Sequence, residues 1–379
     1  MNLVATTYSG LEGLLEEELA SLGATGLVQG KRMVAFQGDL RLVYRVNYAS
    51  RLALRVLMGL HDYTFRSRQE YYDGMRNMAW EDHFGPDQTI AVQAVTFGEL
   101  MPHSKYAAQV AKDAIVDRFR ERSGSRPNVD LERPDIRVHV HVGGDQCHVS
   151  LDSSGEPLYK RGWRRESGEA PLSEVMAAAL VKLSGWDGEG ELLDPMCGSA
   201  TIPIEAALAL LNIPAGFYRR FFGFYTWPSF DQSLWKQVKA EADAGMLQRT
   251  LQIRASDAAW RAADAARANV ASARLEHVIS VDKKPFQAIY PRKARGVLIT
   301  NPPYGGRIRP RDNMALYREF GDYLKQRFTD HTAWIFSGDL QALKNIGLKP
   351  ARKYVLFNGP IECRLAGFRL FEGKLEEQG

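Results

Sequence analysis

Cysteine is scarce in these 379 residues: Cys147, Cys197 and Cys363 form an odd set with no CxxC spacing. That excludes a disulfide framework and a thiolate zinc site as organising devices. No apolar run approaches the roughly eighteen residues that a membrane-spanning helix needs. Met1–Thr6 carries no basic stretch ahead of a hydrophobic segment, so a secretory leader is not expected. An excess of one charge is missing too, since 49 basic and 45 acidic residues leave a formal charge of +4. That balance makes no case for nucleic acid by itself, although the basic residues cluster locally. Internal repeats and low-complexity tracts are also lacking. These absences lead to the expectation of a cytoplasmic protein of two or three folded domains, and a monomer is expected although no residue pattern fixes the oligomeric state.

Three segments differ in grammar. Residues 1–62 open with a strand at Leu3–Thr6. A helix follows, with Leu11, Leu14, Leu15, Leu19 and Leu22 at helical spacing and a Ser9/Glu12 capping box. Two short strands around 26–29 and 32–36 and a helix over 40–54 complete a ferredoxin-like α+β unit. In residues 63–153, Thr89–Thr96 reads as a strand and His103–Arg122 as an amphipathic helix. Ile136, Val138, Val140 and Val142 alternate with Arg137, His139 and His141 before a Gly143-Gly144-Asp145 turn, the mark of a half-buried hairpin. His139, His141, His148 and Cys147 lie close together, but they fall on opposite strand faces and no carboxylate completes a metal set. The Arg/Ser/Pro-rich run 121–134 reads as a flexible loop.

Residues 154–379 alternate strands and helices. This predicts an α/β, Rossmann-like domain whose seven-stranded sheet is mostly parallel and ends in an antiparallel hairpin formed by 353–357 and 365–371. Two places carry chemistry. After the strand Glu191–Leu193 comes Asp194-Pro195-Met196-Cys197-Gly198-Ser199-Ala200-Thr201, a small-residue loop that lets a ligand approach N–H groups at a helix start. Just past the next strand, Asp257 with Ala258 stands where a carboxylate accepts both hydroxyls of a ribose, and a helix N-cap is its competing role. A dinucleotide enzyme would also show G-x-G-x-x-G, which is absent. The loop therefore suits a cofactor with a ribose and no pyrophosphate.

Second, Asn301-Pro302-Pro303-Tyr304 follows the buried strand Gly296–Thr300. Two prolines cannot extend a strand, because each lacks an N–H and fixes its own φ. They can hold acceptors still. An exocyclic amine on a base is a poor nucleophile, its lone pair being delocalised into the ring. The Asn301 side-chain oxygen and the Pro302 carbonyl would accept both of its N–H groups and turn the lone pair outward. Tyr304 would offer a face for stacking on that base.

With these residues, Arg161-Gly162-Trp163-Arg164, Ala170-Pro171-Leu172, Ile213-Pro214-Ala215-Gly216, Asn269 and Asn358-Gly359 with Glu362-Cys363 resemble the THUMP-containing class I RNA methyltransferases, notably the bacterial branch that makes N(2)-methylguanine in 23S rRNA. The likeness covers nearly everything after Leu151. It implies a THUMP RNA-binding domain over 63–153 and S-adenosylmethionine as cofactor. Its methionine part would lie along Asp194–Thr201, with Asp194 at the ammonium and Asp257 at the ribose. Asp282 would accept from the adenine amine with Lys283 beside the ring, and Asn301–Tyr304 would take the target base. For Asp282 a surface turn is the competing reading.

RNA is the expected partner, 23S rRNA first and tRNA as the alternative. An adenine-N(6)-methyltransferase and a non-enzymatic assembly factor are the rivals. Substrate contacts are expected from the basic clusters at Arg161 and Arg164, from Arg307 and Arg309, and from Arg220 with Phe222 in an aromatic insertion that reads equally as core. Two departures from the family pattern stand out. Ala200 replaces a usual glycine, a cost of about 1 kcal/mol if φ is positive there, and Gly306 replaces a usual acid.

Overall fold

The computed structural model describes residues 1–167, 171–304 and 310–371. In chain order the elements are β1 (Asn2–Thr6), α1 (Glu12–Ser21), β2 (Thr25–Gly30), β3 (Met33–Gln37), α2 (Leu40–Ala49), β4 (Arg55–Thr64), α3 (Arg68–Asn77), β5 (Thr89–Phe97), α4 (Ser104–Ser123), β6 (Asn128–Val129), β7 (Ile136–Gly143) and β8 (Gln146–Asp152). There follow α5 (Glu174–Ser184), β9 (Glu191–Asp194), α6 (Thr201–Leu210), α7 (Gln232–Ala244), β10 (Gln252–Asp257), α8 (Trp260–Ser272), β11 (Ile279–Lys283), β12 (Gly296–Thr300), α9 (Pro310–Arg327), β13 (Thr332–Ser337), α10 (Leu340–Lys344), β14 (Arg352–Asn358) and β15 (Ile361–Arg369). They divide into two units: Met1–Thr7, Glu16–Leu158 and Arg219–Glu241 form one, and Tyr8–Leu15, Tyr159–Tyr218 and Ala242–Gly379 the other.

The first unit is built on one eight-stranded sheet of order β2-β3-β1-β4-β8-β7-β5-β6. β4 is its hinge strand: Arg55–Met58 pair with β1, Leu57–Thr64 pair with β8, and a register shift lies between Gly59 and His61. The expected boundary after residue 62 thus falls inside a strand shared by both segments. Along β7 the four aliphatic residues are buried while Arg137, His139 and His141 are only half-buried, as period-two alternation requires. Within the run 121–134, read from sequence as a loop, Asn128 and Val129 pair with Thr89 and Ile90.

The aromatic insertion belongs to this unit. Phe222, 1% exposed, stacks 5.3 Å from Phe224, and both meet Trp235 edge-on. Tyr44 of α2 lies 4.5 Å from Phe224. Arg219 donates to the carbonyls of Pro157, Ser154 and Glu156 while lying over the Phe222 ring. The substrate-binding expectation for Phe222 is therefore corrected: burying its large ring among other rings outweighs what an exposed face offers RNA. Arg220 beside it is exposed.

The second unit carries a seven-stranded sheet of order β11-β10-β9-β12-β13-β15-β14. β9 to β13 run parallel, and β15 pairs antiparallel with β13 and β14, the mostly parallel sheet with a terminal hairpin that the strand pattern implied. Leu193, Leu298, Ile335 and Phe368 from the sheet pack with Tyr317, Phe320 and Leu324 of α9, and with Phe328 just past it, in a common core. Helix α5 stops where Gly185 takes φ +71°, a left-handed cap that glycine adopts without a Cβ penalty.

Candidate active site

The chain winds outward from β9 through β10 to β11, then returns to β9 at β12. β9 and β12 pair in parallel with Leu193 opposite Leu298, so the loops that follow them leave the same edge side by side. In an open parallel sheet, this reversal of winding is where ligands bind. Here it brings 194–201 next to 301–304.

Asp194 ends β9 and is 1% exposed. Its Oδ1 accepts from the Thr300 hydroxyl at 2.8 Å and from the Met196 N–H at 3.3 Å. Burial pushes its carboxyl up to about 7, while those hydrogen bonds pull it back and nearby Asp257 adds to the rise. Asp194 has no ion-pair partner among the described residues. A buried carboxylate so held gains most from a cation.

The loop turns on two left-handed residues, Gly198 (φ +54°) and Ala200 (φ +61°, ψ 32°), the latter directly before α6. Ala200 N–H donates to the Cys197 carbonyl and Cys197 N–H to the Ser256 carbonyl, each at 2.9 Å. The loop thus takes the glycine conformation with an alanine. Ala200→Gly relieves roughly 1–2 kcal/mol of strain but gives up a buried methyl and frees the unfolded chain, so its stability is expected to stay near wild type. Ala200→Val is expected to cost more than about 2 kcal/mol, since a β-branched residue suits neither the φ nor the packed site. Chemical denaturation of both variants checks this; an unharmed valine variant sinks it.

Asp257 accepts from Gly198 N–H at 3.0 Å through one oxygen and from Ala259 N–H at 2.9 Å through the other. It therefore tightens the loop and holds Ala259, which caps α8 in place of Asp257 itself, and a carboxylate's lone pairs leave room for a further donor on each oxygen. Asp282 lies across from Ser256 and Lys283 across from Asp257 in the β10–β11 register. Cys197 is buried, which drives its thiol well above the ordinary range and leaves it a packed, protonated residue.

Arg161 and Arg164 face inward. Arg161 is 1% exposed and sits 3.4 Å from Glu205, itself fully buried. Arg164 donates to Glu174 at 2.8 Å, to the Ser199 hydroxyl at 2.8 Å and to the Thr201 hydroxyl at 2.9 Å. Their expected role as RNA contacts is corrected: unpaired burial of a guanidinium is prohibitive, and these two are consumed by internal carboxylates and by the loop they brace. Buried Asn269 completes the brace, accepting from Arg165 and Glu166 N–H and donating to the Ser199 carbonyl. Arg307 and Arg309 lie outside the described residues.

Asn301 follows β12, and its side-chain oxygen is buried with no hydrogen-bond partner among the described residues. A buried acceptor left empty costs about 1–3 kcal/mol, which marks it as kept for something other than the fold. Tyr304 departs from expectation. It is 7% exposed, its hydroxyl accepts from Asn358 Nδ2 at 3.0 Å, and Cys363 Sγ lies 3.8 Å away. A Cβ built on Gly338 would come within 2.9 Å of the ring. The open stacking face expected for Tyr304 is thus occupied by protein, because its phenol finds partners on the β14–β15 hairpin.

A cavity of about 910 Å³ collects Asp194, Met196, Cys197, Gly198, Ser199, Thr201 and Asn301. Pro171, Leu172, Trp260 and Asp264 also line it, whereas Pro195, Ala200, Asp257, Ala258, Asp282 and Lys283 do not. Its size suits a nucleoside-sized ligand, and a carboxylate suited to a cation lies in the same wall as an empty amide oxygen. Trp260, 59% exposed, was missed in the sequence. Its place three residues after Asp257, at the start of a helix, was the available signal.

Residues 161–367 match the family model described as the RMKL-like methyltransferase domain; 65–152 match the THUMP domain and 2–57 the RlmL ferredoxin-like domain. A Synechocystis protein that carries an RNA methyltransferase name is 40% identical over 370 residues, 97% of this chain and 96% of that one. The chain belongs to the RMKL-like methyltransferase family. "Ribosomal RNA large subunit methyltransferase K/L" of Methylococcus capsulatus is 40% identical over 95% of this chain, which spans only 50% of that relative. A crystal structure of a methyltransferase complexed with SAH superposes with a TM-score of 0.89 at 30% identity, covering 98% of this chain and 99% of that one.

Proposed function

We propose that this protein transfers a methyl group from S-adenosylmethionine to the exocyclic amine of a guanine in RNA, giving N(2)-methylguanine, with 23S rRNA as the substrate. The observation that carries the reading is the buried, unpartnered Asn301 oxygen in the wall of the cavity that also holds Asp194. The family, the THUMP domain and the name of the K/L relatives support an RNA substrate. Among the described residues no helix is long and apolar enough to cross a membrane.

The site residues fit the cofactor. Asp194 would hold the α-ammonium, the Ser199 N–H beside the start of α6 would hold the carboxylate while the Gly198 N–H stays with Asp257, and Asp257 would keep lone pairs for ribose hydroxyls at the strand end beyond the cavity. When bound, S-adenosylmethionine supplies a methyl group on cationic sulfur, an electrophile that needs placement more than activation. The chain's own work is on the amine. Asn301 Oδ1 and the Pro302 carbonyl accept its two N–H bonds, which directs the nitrogen lone pair away from them and toward the methyl group. Prolines 302 and 303 bring no N–H to compete for those acceptors. As the nitrogen gains positive character, one of the two held protons leaves to water.

Incubation with methyl-labelled cofactor and separate rRNA, tRNA and DNA pools, followed by nucleoside analysis, tests the reading. N(2)-methylguanosine from large-subunit rRNA is the expected product. Label found in tRNA alone would move the substrate, and label in N(6)-methyladenine would overturn the guanine assignment.

A further inference from the structure

We infer that Asn358 is a positioning residue for the Asn301–Tyr304 loop, fixing it from the β14–β15 hairpin by way of the Tyr304 hydroxyl. The inference rests on the reaction proposed above and adds a residue that touches neither base nor cofactor.

Three pieces of chain form a seat for Tyr304. Asn358, at the end of β14, donates its Nδ2 hydrogen to Tyr304 Oη at 3.0 Å. Cys363 on β15 is fully buried, with its sulfur 3.8 Å from the same oxygen. Gly338, just past β13, forms the floor: a Cβ there would meet Tyr304 Cε2 at 2.9 Å and Ile361 Cγ2 at 2.8 Å, so only glycine lets the ring lie so close. The hairpin that brings Asn358 and Cys363 into place turns at Gly359, whose φ is +63°, and pairs Asn358 with Ile361.

The placement has a mechanical meaning. The loop begins at β12, and the Tyr304 phenol gives it a second fixed point three residues after Asn301. Pinning the phenol to the hairpin beyond β13 holds its other end. Between the two anchors lie Asn301, Pro302 and Pro303, with two fixed φ angles. Acceptors that must meet an amine within a few tenths of an ångström are held best by a span fixed at both ends. Cys363 is unsuited to chemistry of its own, since burial raises its thiol and it faces the phenol.

The test is a double-mutant cycle of Asn358→Leu and Tyr304→Phe, read on the RNA pool that the wild type labels. Each single variant is expected to lower kcat about 10- to 100-fold through misplaced acceptors, with cofactor affinity unchanged. The double variant is expected to be no worse than Tyr304→Phe alone, because Asn358→Leu removes a hydrogen bond that the phenylalanine has already lost. Asn358→Asp, which accepts from the phenol instead of donating to it, should recover most of the rate. Multiplying losses, or full turnover by Asn358→Leu, overturns the inference, as does a fall in melting temperature with unchanged kcat. Hydrogen exchange of the Thr300, Asn301 and Tyr304 amides is read in parallel without substrate. Faster exchange in Asn358→Leu supports the seat even where no RNA is labelled, which would count against the reaction alone; unchanged exchange counts against the seat.

Discussion

Asn301→Ala is expected to lower kcat for methyl transfer about 10²- to 10³-fold, the usual cost of deleting one preorganised polar group that acts on the reacting centre. Cofactor affinity is expected to change by less than about threefold, because in the proposed binding mode the cofactor is held by Asp194 and the loop beside α6. Stability should hold or rise slightly. The Asn301 oxygen is buried without a partner, and removing an unsatisfied acceptor returns part of the roughly 1–3 kcal/mol its burial costs. The three readouts together separate a functional residue from a structural one. A structural asparagine would lose melting temperature first; a cofactor ligand would lose affinity first. Retained turnover, or a melting temperature several degrees lower, removes Asn301 from the role of amine acceptor.

What the sequence revealed follows how local each constraint is. The strand–loop–helix at Glu191–Leu210 was legible because a short aliphatic run, a small-residue turn and an alanine-rich stripe are set within twenty residues of one another. The stop after Thr300 was legible because two prolines admit no other reading. The pairing of β9 with β12, which makes neighbours of loops about a hundred residues apart, was not legible, because alternating strands and helices imply a parallel sheet without fixing its strand order.

The remainder depended on distant partners. Arg161 and Arg164 look like surface residues in an arginine-rich stretch and Phe222 reads equally as surface or core, and nothing within ten residues of Arg161 or Phe222 reveals Glu205 or Trp235 as neighbours. Tyr304 was given an open face because its own loop says nothing of a hairpin more than fifty residues on. β4 hid the continuity of the first sheet: its two halves serve different partners, and the shift at Gly59–His61 breaks the alternation that would have marked one strand.

Asp194→Asn is expected to weaken S-adenosylmethionine binding roughly 10²-fold, the scale of losing one desolvated charge pair, while making the cofactor-free protein more stable above neutrality. The sign follows from burial. The folded carboxyl titrates near 7, above its ordinary value. The stability its protonated form allows is therefore complete below about pH 4 and is lost as pH rises toward 7. Above that the folded state carries a buried charge that the unfolded chain hydrates freely, at a cost on the order of 4 kcal/mol. The amide has no such titration and still accepts from Thr300 and Met196. The wild-type melting temperature should thus decline from pH 4 to pH 7.5 more steeply than the variant's. Cofactor affinity of the wild type should rise over pH 5.5 to 7 and then level off, because a bound ammonium favours the ionised carboxylate, whereas the variant's affinity should be flat. Equal affinities in the two proteins, or parallel melting curves across this range, would mean that the cation sits elsewhere. On the proposed binding mode, the same buried carboxylate that costs the cofactor-free fold stability would select a positively charged cofactor, so the variant is expected to gain on one measurement and lose on the other.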